Sequence, residues 1–550
     1  MTLTPWQARA AAARSGLLLA VAFPPVNAWP LALVALIPLL LAVWPPLKNR
    51  SYTAYRTHRA YDSDFPEPEP AGGQTAAAPP AGFWRGFRLG WIFGLVFFTG
   101  TMWWVQYVSF PGMVALCLYL ALYPAVAGGV MAWLGIRSTD RWSAALGKVA
   151  LMAGVWCGLE WVRSVALSGF PWNGLAVPLF PLAGMRHLAA GTGVIGLSAV
   201  VLLPALMAAA CFRLAGRQRI ILLILLVLGL AGGGVLEFSA RVEDALATRK
   251  PRPADSLLTA LLVQPNVSME DKMSPDPEIQ RRRDFDLMDQ TDAALAAGRA
   301  RVDLVVWPES AISGFFHDAL GDGAFAPQLD QGDFTLVTGA DSQEWGELHN
   351  SVAALRQTPD NHLLHDKVCL VPFGEFIPFR REIPLLEKMI GHLIPYDFTP
   401  GQSLEPLKPA GQPFSIVPLI CFEDTIGRHA RKFIRPEPQV LVNVTNDNWF
   451  LESPATEIHF ANARWRAPEL RRTLLRSANT GVTASVSPEG IVERLPSFRK
   501  GVLTAAFGTG DGGITFYARH GDLFSQTAGL MAVLGCGVIW GSRRPGLKKG

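Results

Sequence analysis

Ser415–Gly427, SIVPLICFEDTIG, is apolar through Ile420 and then sets a cysteine, a phenylalanine and two acids in succession. Its first six residues read as a strand covered on both faces, so Cys421 stands where a buried strand stops. Such an end holds a side chain rigidly and still leaves it reachable. Similar short runs lie on either side of it in the chain: SLLTALLVQ (256–264), VDLVVW (302–307), FTLVTGA (334–340) and QVLVNVTN (439–446). They alternate with stretches of helical character at 281–298 and 457–478. This alternation predicts an α/β domain with covered sheets and functional residues at strand ends, where Glu309 of VVWPES also falls.

The rest of the chain belongs to a different solvent. Half of the 550 residues are apolar or aromatic and only 17% are charged, and the apolar ones concentrate before about residue 240 and again near the C-terminus. Uncharged runs predict eight spans at 14–24, 29–45, 84–106, 112–136, 144–164, 188–212, 219–238 and 523–541. The first could instead be the apolar part of a secretory signal, but no small-residue cleavage site follows it. Three regions result: membrane-embedded 1–239, a polar domain over 240–520, and a last span with a basic tail over 521–550.

Lys and Arg cluster in alternate connections. They precede span one, lie between spans two and three, four and five, and six and seven, and follow span eight, whereas 25–28 and 107–111 have none. Both termini are therefore expected in the cytoplasm and the 240–520 domain outside it. Residues 46–82, rich in Pro, Ala and Gly, read as a disordered cytoplasmic insertion. A net charge of +4 gives no reason to expect a nucleic-acid partner. TMWWVQYVSFPG (101–112) and SGFPWNGLAVPLFP (168–181) fit either an interfacial aromatic belt or the rim of a lipid entrance.

Two of the six cysteines, Cys369 and Cys421, fall in the polar domain. No Cys or His pair has metal-ligand spacing, so no metal is expected. The two thiols could pair as a disulfide, or Cys421 could be an inert core sulfur. A nucleophilic role would require a base to take the thiol proton and a cation to hold the charge. Glu309, after a buried strand, suits the base, and Lys367, opening the apolar KVCLVPFGEF, suits the cation.

Taken together, VVWPES, DKVCLVPFGEF and LICFED resemble the Glu, Lys and Cys motifs of the nitrilase superfamily, which implies a four-layer α-β-β-α sandwich. Set among eight expected spans, and with SGFPWN, VPFGEFIP, ARWRAPELRRTLLRSANTG (463–481) and FYARHGD (516–522), they are similar to its membrane branch, the bacterial apolipoprotein N-acyltransferases. The resemblance implies a catalytic triad of Glu309, Lys367 and Cys421. It also implies transfer of a fatty acyl chain from a phospholipid, through a Cys421 thioester, to the N-terminal amine of a diacylglyceryl apolipoprotein. No cofactor is implied, and the enzyme is expected to be a monomer in the bacterial inner membrane with a periplasmic catalytic domain.

By the same resemblance Glu375 orients the triad or the amine and Glu423 supports the nucleophile loop, although Glu423 could instead be an exposed acid. Asn350 and Asn446 fit structural hydrogen-bonders or substrate contacts, and His459 fits a packed histidine. Met273 replaces an expected tryptophan, Phe422 a common tyrosine and Leu451 a usual glycine, so substrate contacts near them depart from the family pattern. IPLLEKMIGHLI (383–394) has the spacing of a core helix or of a lid dipping into lipid. Two rivals share parts of this pattern: a membrane-tethered amidase in which water resolves the thioester, and a non-enzymatic scaffold, for which loss of a triad residue would be expected.

Overall fold

The computed structural model describes residues 3–44, 82–249, 257–298, 301–380, 382, 384, 387, 388, 391, 396–510 and 512–543. The expected insertion at 46–82, apart from its last residue, and most of the expected 383–394 helix lie outside these residues.

Among the described residues six helices are long and apolar enough to cross a membrane: Gly82–Tyr107, Phe110–Leu134, Trp142–Ser168, Ala183–Cys211, Gly216–Ala247 and Leu523–Ser542. The two earliest expected spans are shorter. The first is the helix α1, Pro5–Ala20, which starts nine residues before the expected 14. The second is broken into a 3-10 turn, Trp29–Leu33, and the helix α2, Ile37–Val43, with Pro30 and Pro38 each opening its own piece because proline has no N–H to continue a helix. The helices α3, Gly82–Met102, and α4, Phe110–Leu134, approach so closely that a Cβ on Gly86 would lie 2.1 Å from the Gly128 carbonyl oxygen. This small-residue packing replaces the missing hydrophobic drive between helices in lipid. After α5, Trp142–Val165, and α6, Ala183–Cys211, helix α7 runs from Gly216 to Arg249, well past the expected end at 238.

The polar region folds into two sheets. The first joins β1 (Leu258–Gln264), β2 (Leu304–Val306), β3 (Thr335–Glu344), β4 (Glu347–Arg356) and β5 (Thr358–Asp366). The second joins β6 (Ser415–Ile420), β7 (Gln439–Thr445), β8 (Leu474–Ala478), β9 (Ala484–Val486) and β10 (Val492–Arg494), while β11 (Gly501–Phe507) returns to the first. Their orders are β11-β1-β2-β3-β4-β5 and β10-β9-β8-β7-β6. Strands β1, β2 and β3 are parallel, as are β6, β7 and β8.

Side chains alternate across each strand, so each sheet feeds two cores. Leu262, Val306, Val337 and Val352 of one sheet meet Ile416, Ile420, Val442 and Val444 of the other. On the far side of the first sheet, Leu261, Val305, Leu336 and Leu355 pack on Leu287, Phe316 and Phe325. Leu287 belongs to helix Pro277–Ala297, close to the expected 281–298. Beyond the second sheet, Val417, Leu419, Leu441 and Leu474 pack with Ile458, Phe460 and Trp465 in a core continuous with the membrane helices.

The single helix expected over 457–478 is instead three elements: Ala455–Ala463, Arg466–Leu470 and β8. Arg471 at φ +51° ends the second helix, and the fully buried LLRSA that follows is worth more as a central strand than as a helix end. The two halves of the molecule are joined by buried hydrogen bonds. Trp465 Nε1 donates to the Val177 carbonyl at 3.1 Å, and the Asn173 amide donates to Asn462 Oδ1 at 2.9 Å.

Candidate active site

Cys421 is the first residue past β6 and holds φ +50°, a left-handed conformation that costs a residue with a Cβ. The turn is held from the neighbouring strand, where Asn443 Nδ2 on β7 donates to the carbonyls of Leu419 at 3.2 Å and Cys421 at 3.1 Å. Glu423 fastens it on the other side. One carboxylate oxygen accepts the Ile420 amide at 2.9 Å and the other accepts Val368 at 2.9 Å and Cys369 at 2.8 Å. This acid is fully buried, not exposed, and it ties the Cys421 turn to the turn that carries Lys367. Burial raises its carboxyl pKa, but the His429 charge 3.2 Å away and the amides outweigh that and bring it down to about 2.

Glu309 and Lys367 arrive from the ends of β2 and β5. Lys367 Nζ lies 2.7 Å from Glu375 Oε1 and 3.8 Å from Glu309 Oε1. Asn350 of β4 bridges the acids, its Nδ2 donating to Glu309 at 2.8 Å and Glu375 at 2.9 Å. Glu375 also accepts the Val371 amide at 2.7 Å. Gly339 on β3 makes room for the Glu309 turn, since a Cβ there would come within 2.5 Å of the Glu309 Cα.

These contacts set the charges. Burial lowers the Lys367 pKa, but Glu375 and Glu309 overcome it and hold the ammonium above its ordinary value. Burial raises the Glu309 carboxyl, Lys367 opposes and Glu375 adds, leaving it above the usual carboxylate range, as a proton acceptor requires. The Cys421 thiol is raised by burial and by Glu309 and pulled back by Lys367, so at rest it is a neutral thiol that needs a base. Both Cys369 and Cys421 are free.

The remaining expected residues take other places. Phe422 sits beside the elbow with its ring 6.2 Å from Trp172. Asn446 accepts from Asn479 Nδ2 at 3.1 Å and the Asn448 amide at 3.3 Å, a structural role away from the acids. Met273 is 64% exposed at the end of helix Met269–Met273. His459 is buried between Asp447 at 2.7 Å and Asp424 at 3.0 Å, with Arg476 bridging the same two acids. The aromatic stretches do not form a simple exposed belt: Trp104 and Trp172 are buried, Trp104 against Phe450 at 4.5 Å and Trp172 stacked on His459 at 5.1 Å.

Sequence reading missed Lys272, Asn443, Arg476 and His429. Lys272 Nζ donates to the Glu309 carbonyl at 3.1 Å and the Ser310 carbonyl at 3.0 Å. Its place immediately before Met273 was the available signal; the other three are ordinary residues until folding brings Asn443 to Cys421, Arg476 to Asp424 and His429 to Glu423. Among the described residues one group has three donors close enough for a metal ion, Cys369, Glu423 and His429, and its atoms lie within 4.8 Å of one another.

Comparisons with known proteins match two parts of the chain. Residues 75–207 match the apolipoprotein N-acyltransferase N-terminal domain and residues 275–511 match the carbon-nitrogen hydrolases. Apolipoprotein N-acyltransferase of Geobacter metallireducens is 30% identical over 544 residues, covering 93% of this chain and 91% of that protein. The chain belongs to the apolipoprotein N-acyltransferase family. The family member from Rhizobium rhizogenes is 33% identical over 449 residues, covering 76% of this chain and 79% of its own. A solved carbon-nitrogen hydrolase superfamily protein from Xanthomonas campestris is 18% identical over 46% of this chain and 91% of that one, at a TM-score of 0.32. The family assignment makes the chain a membrane acyltransferase with a carbon-nitrogen hydrolase domain, and the turn after Cys421 touches the connection between α5 and α6 through Trp172, which donates to Thr425 Oγ1 at 2.9 Å.

Proposed function

We propose that this chain moves a fatty acyl group from a phospholipid to the N-terminal amine of a diacylglyceryl apolipoprotein. One observation supports it most. A thiol at a strained strand end lies within electrostatic reach of a buried carboxylate and a buried ammonium, themselves 3.8 Å apart, on a chain whose other half is apolar helices.

Glu309 takes the Cys421 proton as the sulfur attacks the ester carbonyl. Lys367 and backbone N–H groups near Phe422 hold the oxyanion. Collapse breaks the ester C–O bond, the proton passes from Glu309 to the leaving alcohol, and a lysophospholipid departs from a Cys421 thioester. The α-amine then attacks the thioester carbonyl, Glu309 accepts the amine's proton, and the amide forms as the thiol is restored. This is a ping-pong sequence. Glu375 and Asn350 orient Glu309 and Lys367, while Glu423 holds the nucleophile turn.

The catalytic region is 240–520, between membrane regions 1–239 and 521–550. The Lys and Arg distribution supports a bacterial inner-membrane protein with that region periplasmic and both termini cytoplasmic. It acts as a monomer. Purified protein incubated with a phospholipid and analysed by mass spectrometry should carry an acyl adduct on Cys421, which a diacylglyceryl peptide then removes as an N-acyl product. Release of free fatty acid with no acylated peptide would instead identify a hydrolase, the amidase reading.

A further inference from the structure

We propose that Cys369, Glu423 and His429 form a binding site for a zinc-class divalent cation, beside the nucleophile turn that Glu423 also holds. The three donors are a thiol, a carboxylate and an imidazole, the set that a borderline-soft ion takes in preference to calcium or magnesium. They are brought together by folding alone: Cys369 lies on the turn after β5, Glu423 on the turn after β6, and His429 on the short helix Gly427–Ala430.

The spacing suits one ion. Their donor atoms lie within 4.8 Å of one another. His429 Nε2 stands 3.2 Å from Glu423 Oε1. Two ligands of a tetrahedral ion with bonds of about 2.0 Å are about 3.3 Å apart. The imidazole is charged against Glu423 at that distance, so a cation would take the place of its proton. A second observation points the same way. His365 is 2% exposed, both its ring nitrogens are buried without partners, and its ring packs on Phe433 at 5.4 Å, as that of His429 does at 5.2 Å. His365 thus brings an unpartnered buried imidazole to the same phenylalanine as His429. The amides of Val368, Cys369 and Ile420 that hold Glu423 would serve as the outer contacts that orient a ligating carboxylate. Cys369 is half-buried, which leaves a way in. Spacing along the chain could not show this, because Cys369 and His429 are 60 positions apart.

The test uses the full-length protein in detergent with cobalt(II) as the spectroscopic probe. Cys421→Ala protein, which lacks the other thiol of this region, should bind one equivalent and show thiolate-to-cobalt charge-transfer absorption with intense tetrahedral ligand-field bands. Adding Cys369→Ser or His429→Gln should abolish these bands. Absence of the bands in Cys421→Ala protein, or their survival when Cys369 is replaced, overturns the proposal. Where those variants do not fold, alkylation decides. In Cys421→Ala protein, zinc at about ten times its Kd should slow iodoacetamide modification of Cys369 about tenfold, followed by peptide mass spectrometry, and an unchanged rate overturns the site.

Discussion

In the proposed mechanism Glu309 must stay unprotonated near a second acid while remaining a good enough base to deprotonate a thiol. Burial and Glu375 raise its pKa and Lys367 lowers it, so the acid limb of acyl-enzyme formation should lie above the ordinary carboxylate range. Stopped-flow measurement of adduct formation against pH checks this. Glu309→Gln should remove the limb and slow acylation by about 10²–10⁴-fold, the usual share of a general base. Lys272 also pulls Glu309 downward. Lys272→Met should therefore move the same limb to higher pH; an unmoved limb would mean that Lys272 only braces the turn through its two carbonyl contacts. At this scale the proposed triad was legible in three motifs: Glu309 and Cys421 each follow a buried apolar run, and Lys367 opens one. Asn350 was recognised without its role, and Asn443 was not recognised at all, since an asparagine inside a strand announces nothing until its neighbour is known.

The elements succeed or fail by what they pack against. Strands β1, β2, β3, β6 and β7 were predicted within a few residues, because fully covered strands are continuous apolar runs. The helix expected over 457–478 failed at its end: LLRSA continues the helical spacing, and only pairing with β7 turns it into a strand. Breaks at Pro30 and Pro38 likewise shortened the second expected span. The close fit of β2 and β3 yields a prediction of its own. Gly339→Ala would place a methyl 2.5 Å from the Glu309 Cα, against backbone that cannot swing aside. It should cost about 1–3 kcal/mol of stability, read as a lowered melting temperature, and reduce adduct formation more than a distant substitution of equal cost.

Across the whole molecule, the buried lattice of Asp424, Asp447, His459 and Arg476 lies behind the nucleophile turn and under Trp172 from the membrane side. Arg476→Met leaves two carboxylates facing one histidine and should destabilise by about 3–5 kcal/mol. Differential scanning fluorimetry in detergent measures it. The pH dependence follows from the folded-state shifts. Burial lowers the His459 pKa but Asp447 and Asp424 raise it from 6.5 to about 9, so its contribution is full below 6.5 and lost as pH rises through about 9. Burial raises Asp447 but His459 and Arg476 lower it from 3.8 to about 2, so its contribution is full above 3.8 and lost as pH falls through about 2. The melting temperature should therefore be highest between these limits, and His459→Gln should flatten the alkaline fall.

By itself the sequence determined the two solvents of the chain, the alternation of strand and helix in the polar half, and which three residues, Glu309, Lys367 and Cys421, are proposed as the triad, because hydropathy and burial are local properties recorded in consecutive residues. Tertiary structure alone decided which groups share a hydrogen bond: that Asn350 bridges two acids, that Glu423 ties two turns together, that Trp172 reaches His459 and Thr425, and that Cys369 meets His429. Those contacts join residues tens to hundreds of positions apart, and nothing short of the packed sheets brings them within the few ångströms over which a proton or a charge is felt.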